Sequence, residues 1–262
     1  MNWFEALILG LVQGLTEFLP VSSSGHLTIA KELFGIETAD LSFEVITHAA
    51  TVCATIIVFR KEIWTLLQGL FKFRYNSETR YVLMIAVSMI PVFIGGMFFK
   101  DQVELLFSNG LPVVGCALLV TAALLLFSGR HTERQTADVS YKSAFIIGLA
   151  QAVAVVPGLS RSGSTIATGL ICGVKRDQAA QFSFLMVLIP ILGEAFLEVV
   201  GGDFSSSAVG TLPLLTGFLA AFVSGLFACK FMIALVKKAK LQWFALYCAL
   251  VGVACLIWNA TL

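Results

Sequence analysis

Leu19-Pro20-Val21-Ser22-Ser23-Ser24-Gly25-His26 interrupts the apolar stretch Trp3–Ile36, and Pro157-Gly158-Leu159-Ser160-Arg161-Ser162-Gly163 interrupts Ser143–Val174. Each break places a proline and a run of hydroxyls where a membrane helix would otherwise continue. Irregular backbone at membrane depth survives only where protein or a wet cavity encloses it. The two breaks therefore predict two helix–loop–helix pairs whose loops face each other.

The rest of the chain supports a membrane setting. Of 262 residues, 58% are apolar and 13% charged, with a mean hydropathy of +0.91. A soluble domain carries about 25% charged residues, so most of this surface faces something other than water. The composition defines a polytopic α-helical membrane protein in a single membrane domain, residues 1–262. It excludes a soluble enzyme, a nucleic-acid binder and a secreted disulfide scaffold. The net charge of +1 says nothing about partners. Six scattered cysteines show no metal-binding spacing and read as small hydrophobes. The start lacks the basic region and cleavage site of a signal peptide.

A bilayer core of ~30 Å needs ~20 apolar residues in a helix, with ~17 as a lower limit. Six segments qualify: Phe43–Phe59, Tyr81–Phe99, Leu111–Phe127, Ala179–Val200, Leu212–Val236 and Leu241–Trp258. Pro91 and Pro190 should kink two of them, and Glu194 and Glu198 are expected near an interface. Basic residues cluster at 60–80, 128–142, 175–177 and 237–240, whereas 100–110 and 201–211 are poor in them. The positive-inside rule puts the four basic connections in the cytoplasm and the C-terminus outside. Segment 143–174 then enters and leaves from the cytoplasmic face, and the first pair re-enters from the outer face. Alternatively Trp3–Leu19 spans alone and leaves the N-terminus inside.

The chain also matches itself. At an offset of 138, Gly10-Leu11-Val12-Gln13 falls on Gly148-Leu149-Ala150-Gln151, and Ser22-Ser23-Ser24-Gly25 on Ser160-Arg161-Ser162-Gly163. The identities at Gly10, Leu11, Gln13, Ser22, Ser24 and Gly25, with Ala6 on Ala144, fall within residues 6–25 and cover the polar break in each stretch. The reading is a duplication, with repeat 1 at about 1–127 and repeat 2 at about 141–262. Each repeat holds one re-entrant pair and three spans. Three is odd, so the halves have inverted topology and their site belongs near the midplane.

The residues at the breaks carry chemistry. Gln13 and Glu17 share a helix face, and a carboxylate inside hydrocarbon reads as functional. Ser22, Ser23 and Ser24 offer hydroxyls just before a helix N-terminus, a ready anion site. Gly25 lets the backbone turn, and His26 follows directly. In the second break, Ser160, Ser162, Ser164 and Thr165 surround Gly163. Arg161 is the only strong charge between Lys142 and Lys175, and its fork suits phosphate. Glu17 could instead be its structural counter-charge. Acid, imidazole, hydroxyls and guanidinium together are parts for phosphoryl transfer. His48 reads as a satisfied core histidine, and His131 as a solvated loop residue.

Residues 13–26, Gln-Gly-Leu-Thr-Glu-Phe-Leu-Pro-Val-Ser-Ser-Ser-Gly-His, closely resemble the first signature of the bacterial undecaprenyl pyrophosphate phosphatases of the BacA/UppP family. Residues 157–165, Pro-Gly-Leu-Ser-Arg-Ser-Gly-Ser-Thr, resemble the second. The resemblance implies an enzyme of the bacterial inner membrane that removes one phosphate from undecaprenyl pyrophosphate. Its product is the lipid carrier for peptidoglycan and other envelope polymers. It implies a link with bacitracin resistance, a divalent cation (Mg or Ca) with Glu17 as ligand, a polyprenyl pyrophosphate substrate, and a site open to the periplasm. A homodimer is among the assemblies considered. The family's acidic element falls on Gln13 and Glu17, its serine and histidine on Ser23 and His26, and its arginine on Arg161. Gln13 stands where the pattern allows Glu or Gln, which weakens any mechanism needing two carboxylates.

The expected mechanism has Arg161 and the loop N–H groups holding the diphosphate while Ser23 attacks and His26 relays its proton. Gln13, Ser22, Ser24, Gly25, Ser160, Ser162, Gly163 and Thr165 are expected to bind substrate. The rival reading is an inverted-repeat transporter or flippase of a lipid phosphate or other anion. A PAP2-type phosphatase is disfavoured, because its Arg-Pro and His-Asp elements are missing in the right order.

Overall fold

The computed structural model describes residues 1–36, 41–99, 102, 105–106, 110–129, 136–193, 209–238 and 241–261. The described residues are helical apart from turns and one isolated bridge. Helix α1, Trp3–Phe18, starts at a capping box: Asn2 Oδ1 accepts from the N–H groups of Phe4 and Glu5 at 2.9 Å, and Glu5 Oε2 accepts from Asn2 N at 2.8 Å. It stops before Pro20. Helix α2, Ser23–Phe34, follows at once and ends on the left-handed Gly35.

Helix α3, Leu41–Val58, runs into α4, Arg60–Leu70, across a 76° bend. Sequence reading treated 60–80 as a connection. Its first part is an amphipathic helix that exposes Trp64 beside Arg60 and Lys61. Helix α5, Ser77–Phe98, carries Pro91 without breaking, and α6 spans Gly110–Gly129. The second half repeats the pattern with α7, Tyr141–Val153, and α8, Arg161–Ile171. Helix α9, Arg176–Met186, stops at Val187 and the chain is helical again over 188–193, so the span expected at Ala179–Val200 is broken near Pro190. Glu194, Glu198 and His131 lie outside the described residues. Helices α10, Thr211–Lys238, and α11, Gln242–Thr261, complete the chain.

Among the described residues, four of the six expected spans coincide with helices long and apolar enough to cross a bilayer: α5, α6, α10 and α11. A fifth is added if α3 and α4 count as one bent span. Outward faces carry large apolar side chains such as Phe93, Phe227 and Trp243, each at least 70% exposed. Such faces suit lipid and not water.

Each short helix pair begins and ends at one place. Ala137 N donates to Gly173 O at 3.0 Å and Lys175 N to Ala137 O at 2.9 Å, tying the start of α7 to the end of α8. Lys175 also donates to Asp138 Oδ1 at 2.8 Å, and this bond holds the Asp138 carboxyl below its ordinary range. In the first pair, Met1 and Ile36 pack on one cluster with Ala6, Leu9, Leu27 and Phe43.

The pairs are held by close backbone approach. Helix α1 lies on α10, where a Cβ on Gly10 would come 3.0 Å from Gly217 Cα. Helix α7 lies on α5, where a Cβ on Gly148 would come 2.8 Å from Ser88 Cα. Between α6 and α11, Gly115 and Gly252 each face the other's carbonyl so closely that any Cβ would meet it within 3 Å. Inside lipid, helices associate through packing of this kind, because burial from water drives nothing there.

Candidate active site

The two breaks meet. Gly158 N donates to Ser24 Oγ at 3.4 Å, and Ser162 Oγ donates to Leu19 O at 2.9 Å. A Cβ on Gly25 would sit 3.1 Å from Gly158 Cα, so a residue without a side chain lets the loops close on each other. The loops share a local design. Ser22 caps α2 by accepting from Gly25 N at 3.2 Å, and Ser160 caps α8 by accepting from Gly163 N at 3.0 Å. Ser23 and Arg161 are each the first helical residue after the cap. The backbones differ at one point: Ser22 has φ +71°, a strained value for a residue with a side chain, whereas Ser160 has φ −68°.

Glu17 is the hub. Its side chain is 6% exposed, and α1 delivers it at the last turn before the break. One oxygen, Oε1, pairs with Arg161 Nη2. The other, Oε2, accepts from Ser23 Oγ at 2.6 Å and from Gln13 Nε2 at 3.0 Å, with His48 Nε2 at 3.6 Å. Acid, serine and arginine are thus in direct contact across 144 residues of sequence. The pairing with Arg161 that sequence reading held open is made. Arg161 still reaches the cavity, and a guanidinium has five N–H groups to offer.

Above these groups lies a cavity of about 300 Å³. Its floor is Glu17, Ser22, Ser23, Ser24, Ser160, Arg161 and Ser162. Its walls come from the first part of α3 (Glu44, Val45, His48), the later part of α5 (Val92), Gln151 and Ala154 at the end of α7, and Pro190 with Ile191. Lys31 pairs with Glu44 beside it. At the small end of ligand pockets, which span about 300–1,000 Å³, the cavity has room for a head group and not for a polyprenyl tail.

Several expected site residues stand behind this floor. Gly25, Gly163, Thr165 and Gln13 do not line the cavity. Gly25 and Gly163 close the caps, and Thr165 donates to Arg161 O at 2.8 Å and bonds Ser183. His26 turns away from Ser23. Its Nδ1 donates to Ser22 O at 2.7 Å, which fixes the proton on that nitrogen, since a carbonyl cannot donate. Its Nε2 accepts from Tyr247 Oη at 2.7 Å, and the two rings stack with 5.6 Å between centroids. Sequence reading missed Tyr247, on the last helix, and His48, whose ring borders Glu17. Nothing in local sequence marks either, because packing alone brings them in.

No group of three or more His, Cys, Asp or Glu side chains that could hold a metal occurs among the described residues. One feature does suit a hard cation. Gln13 is fully buried, its Nε2 serves Glu17, and its Oε1 has no partner among the described residues. A carboxylate and an orphan amide oxygen are hard donors of the kind Mg and Ca take, with phosphate oxygens and water completing the shell.

The fold and site define a polytopic helical membrane protein with a carboxylate–serine–arginine centre enclosed by two broken helices. The chain belongs to the family described as bacitracin resistance protein BacA, whose pattern matches residues 6–254. It is 59% identical over 261 residues to a Bacteroides fragilis protein named undecaprenyl-diphosphatase, covering 98% of each chain. Proteins of the same name from Parabacteroides distasonis and Carboxydothermus hydrogenoformans are 60% identical over 256 residues and 38% over 265, covering 96% or more of each chain.

Proposed function

We propose that this protein is an integral membrane undecaprenyl-diphosphatase that hydrolyses undecaprenyl pyrophosphate to the monophosphate carrier used in peptidoglycan and envelope synthesis. The observation that carries the reading is Glu17 holding Ser23 Oγ on one oxygen and Arg161 on the other. A nucleophile, its base and a phosphate clamp are in contact in one cavity, and relatives named for this activity match almost the whole chain.

Arg161 grips the diphosphate, joined by the N–H groups of Ser23, Ser24, Arg161 and Ser162 in the first turns of α2 and α8, which the serine caps do not use. Ser23 Oγ attacks the terminal phosphorus and gives its proton to Glu17, in place of the His26 relay expected from sequence. The bond to the bridging oxygen breaks and undecaprenyl phosphate leaves. Water then attacks the phosphoserine, Glu17 returns the proton to Ser23 Oγ, and dihydrogen phosphate departs. His26 is a positioning residue: it fastens the strained Ser22 carbonyl and so aims Ser23 at Glu17. Glu17 and Gln13 Oε1 would hold a divalent cation such as Mg or Ca, which would neutralise phosphoryl charge when bound.

The architecture behind this is an inverted repeat, about 1–127 and 141–262, with two re-entrant pairs. It is supported by matching contacts at matching positions. Gly10 on α10 parallels Gly148 on α5, and Gly115 faces Gly252, its near-equivalent at an offset of 137, on the axis between the halves. The cavity opens to the periplasm. In the orientation set by the basic loops, its walls come from the outer parts of α3 and α5 and from the stretch after α9.

Purified protein in detergent should release inorganic phosphate from undecaprenyl pyrophosphate, lose that activity to a chelator, and regain it with Mg or Ca. Tight binding of the lipid with no phosphate release would instead identify a carrier of lipid phosphate, for which a nucleophile is superfluous.

A further inference from the structure

Gln151 lies in the cavity wall, yet the reaction above gives it no task. It is 2% exposed, and neither its Nε2 nor its Oε1 has a hydrogen-bond partner among the described residues. Gln13, its counterpart in the self-alignment, differs in spending its Nε2 on Glu17. A buried carboxamide with both ends free is costly to keep, and native interiors hold few. An apolar side chain of similar size would pack on the last turn of α7 without that cost. The exception asks for a ligand that supplies both partners.

The amide's chemistry narrows the ligand. Its NH2 donates and its oxygen only accepts. An ionised phosphoryl group offers acceptors alone, so it can satisfy Nε2 and not Oε1. The oxygen needs an O–H, and a hydrolase must bring one into this cavity: water. We propose that Gln151 is a catalytic residue of the second half-reaction. Nε2 holds a non-bridging oxygen of the phosphoryl group on Ser23, and Oε1 accepts from the water that attacks it. As that water's oxygen bonds phosphorus, the Ser23 Oγ–phosphorus bond breaks, and Oγ takes the proton held by Glu17. This rests on the phosphoserine pathway above.

The test is Gln151→Leu, which removes both polar ends at nearly constant volume, with Ser23→Ala beside it. Terminally labelled substrate, acid quench and thermal unfolding in detergent are the readouts. We expect Q151L to melt at or above the wild-type temperature, because the free protein loses only unsatisfied groups. Its turnover should fall on the order of 10²-fold, the usual scale for one lost transition-state hydrogen bond. Labelled phosphoserine should build up on it beyond the wild-type level, since the first step is spared. Wild-type turnover, or lost activity with lowered melting temperature and no added label, overturns the assignment. Unimpaired turnover by S23A overturns the phosphoserine pathway itself, a failure the Q151L result does not imitate.

Discussion

Glu17→Gln tests the centre of the site with a change of one atom. The amide keeps the shape and can still accept from Ser23, but it cannot take that proton and cannot pair with Arg161. Loss of a positioned base costs about 10²–10⁴-fold in kcat. Breaking a fully buried ion pair costs about 3–5 kcal/mol. Here Arg161 is 26% exposed, facing the cavity, and water there screens much of the charge left behind, so about 1–2 kcal/mol is the reasonable figure. At about 2–4 °C per kcal/mol, that is a melting temperature lower by roughly 2–8 °C. Released from Glu17, Arg161 still grips phosphate, so KM should hold or fall while kcat collapses. The measurement is phosphate release against substrate concentration, with thermal unfolding on the same preparation. The double variant Glu17→Gln/Ser23→Ala should be no slower than Ser23→Ala alone, because the two residues serve one step. A Glu17→Gln protein with kcat within threefold of wild type would refute the assignment of Glu17 as base.

Three further outcomes are expected. Tyr247→Phe keeps the ring stack on His26 but loses the hydrogen bond to Nε2, about 0.5–1.5 kcal/mol; kcat should drop by up to about tenfold with KM unchanged, and His26 side-chain nitrogen NMR should report a mixed tautomer. Arg161→Lys keeps the charge and loses the fork, so kcat/KM should fall on the order of 10²-fold; wild-type turnover would remove the clamp. Gly25→Ala puts a methyl 3.1 Å from Gly158 Cα, an overpacking of about 1–3 kcal/mol, visible as a lower melting temperature and as lost activity from parted loops.

Much of the fold is legible in the sequence. Four spans could be bounded to within a few residues, because continuous apolar runs leave little choice of structure. Both helix breaks could be placed, because proline and clustered hydroxyls cannot continue a lipid-facing helix. The cost of burying charge says that Arg161 needs an anionic partner. It does not choose between a bound phosphate and Glu17, and it does not bring Ser23 onto the same carboxylate. What failed depended on direction in space. His26 follows Ser23 by three residues and looked like its base, but the left-handed turn at Ser22 swings the imidazole toward Tyr247, 221 residues away. His48 reads as core because its Nδ1 is satisfied within its own helix, by Glu44 O at 2.9 Å, while the approach of its Nε2 to Glu17 depends on how α3 packs against α1. Residues 60–80 read in sequence as a connection, because the charges at the start of α4 conceal its apolar face.

Ser23 and Arg161 occupy the same place in two turns of like design: each follows a capping serine and precedes a glycine by two residues. In the proposed reaction one turn bears the attacking oxygen, the other the cation that receives the anion. Two identical subunits meeting on a dyad could never divide labour in this way, since whatever one turn carried the other would carry too. Fusing both turns into one polypeptide lets each side change alone. A single swap of residue type at one register is enough to turn a symmetric anion cradle into a centre with a direction.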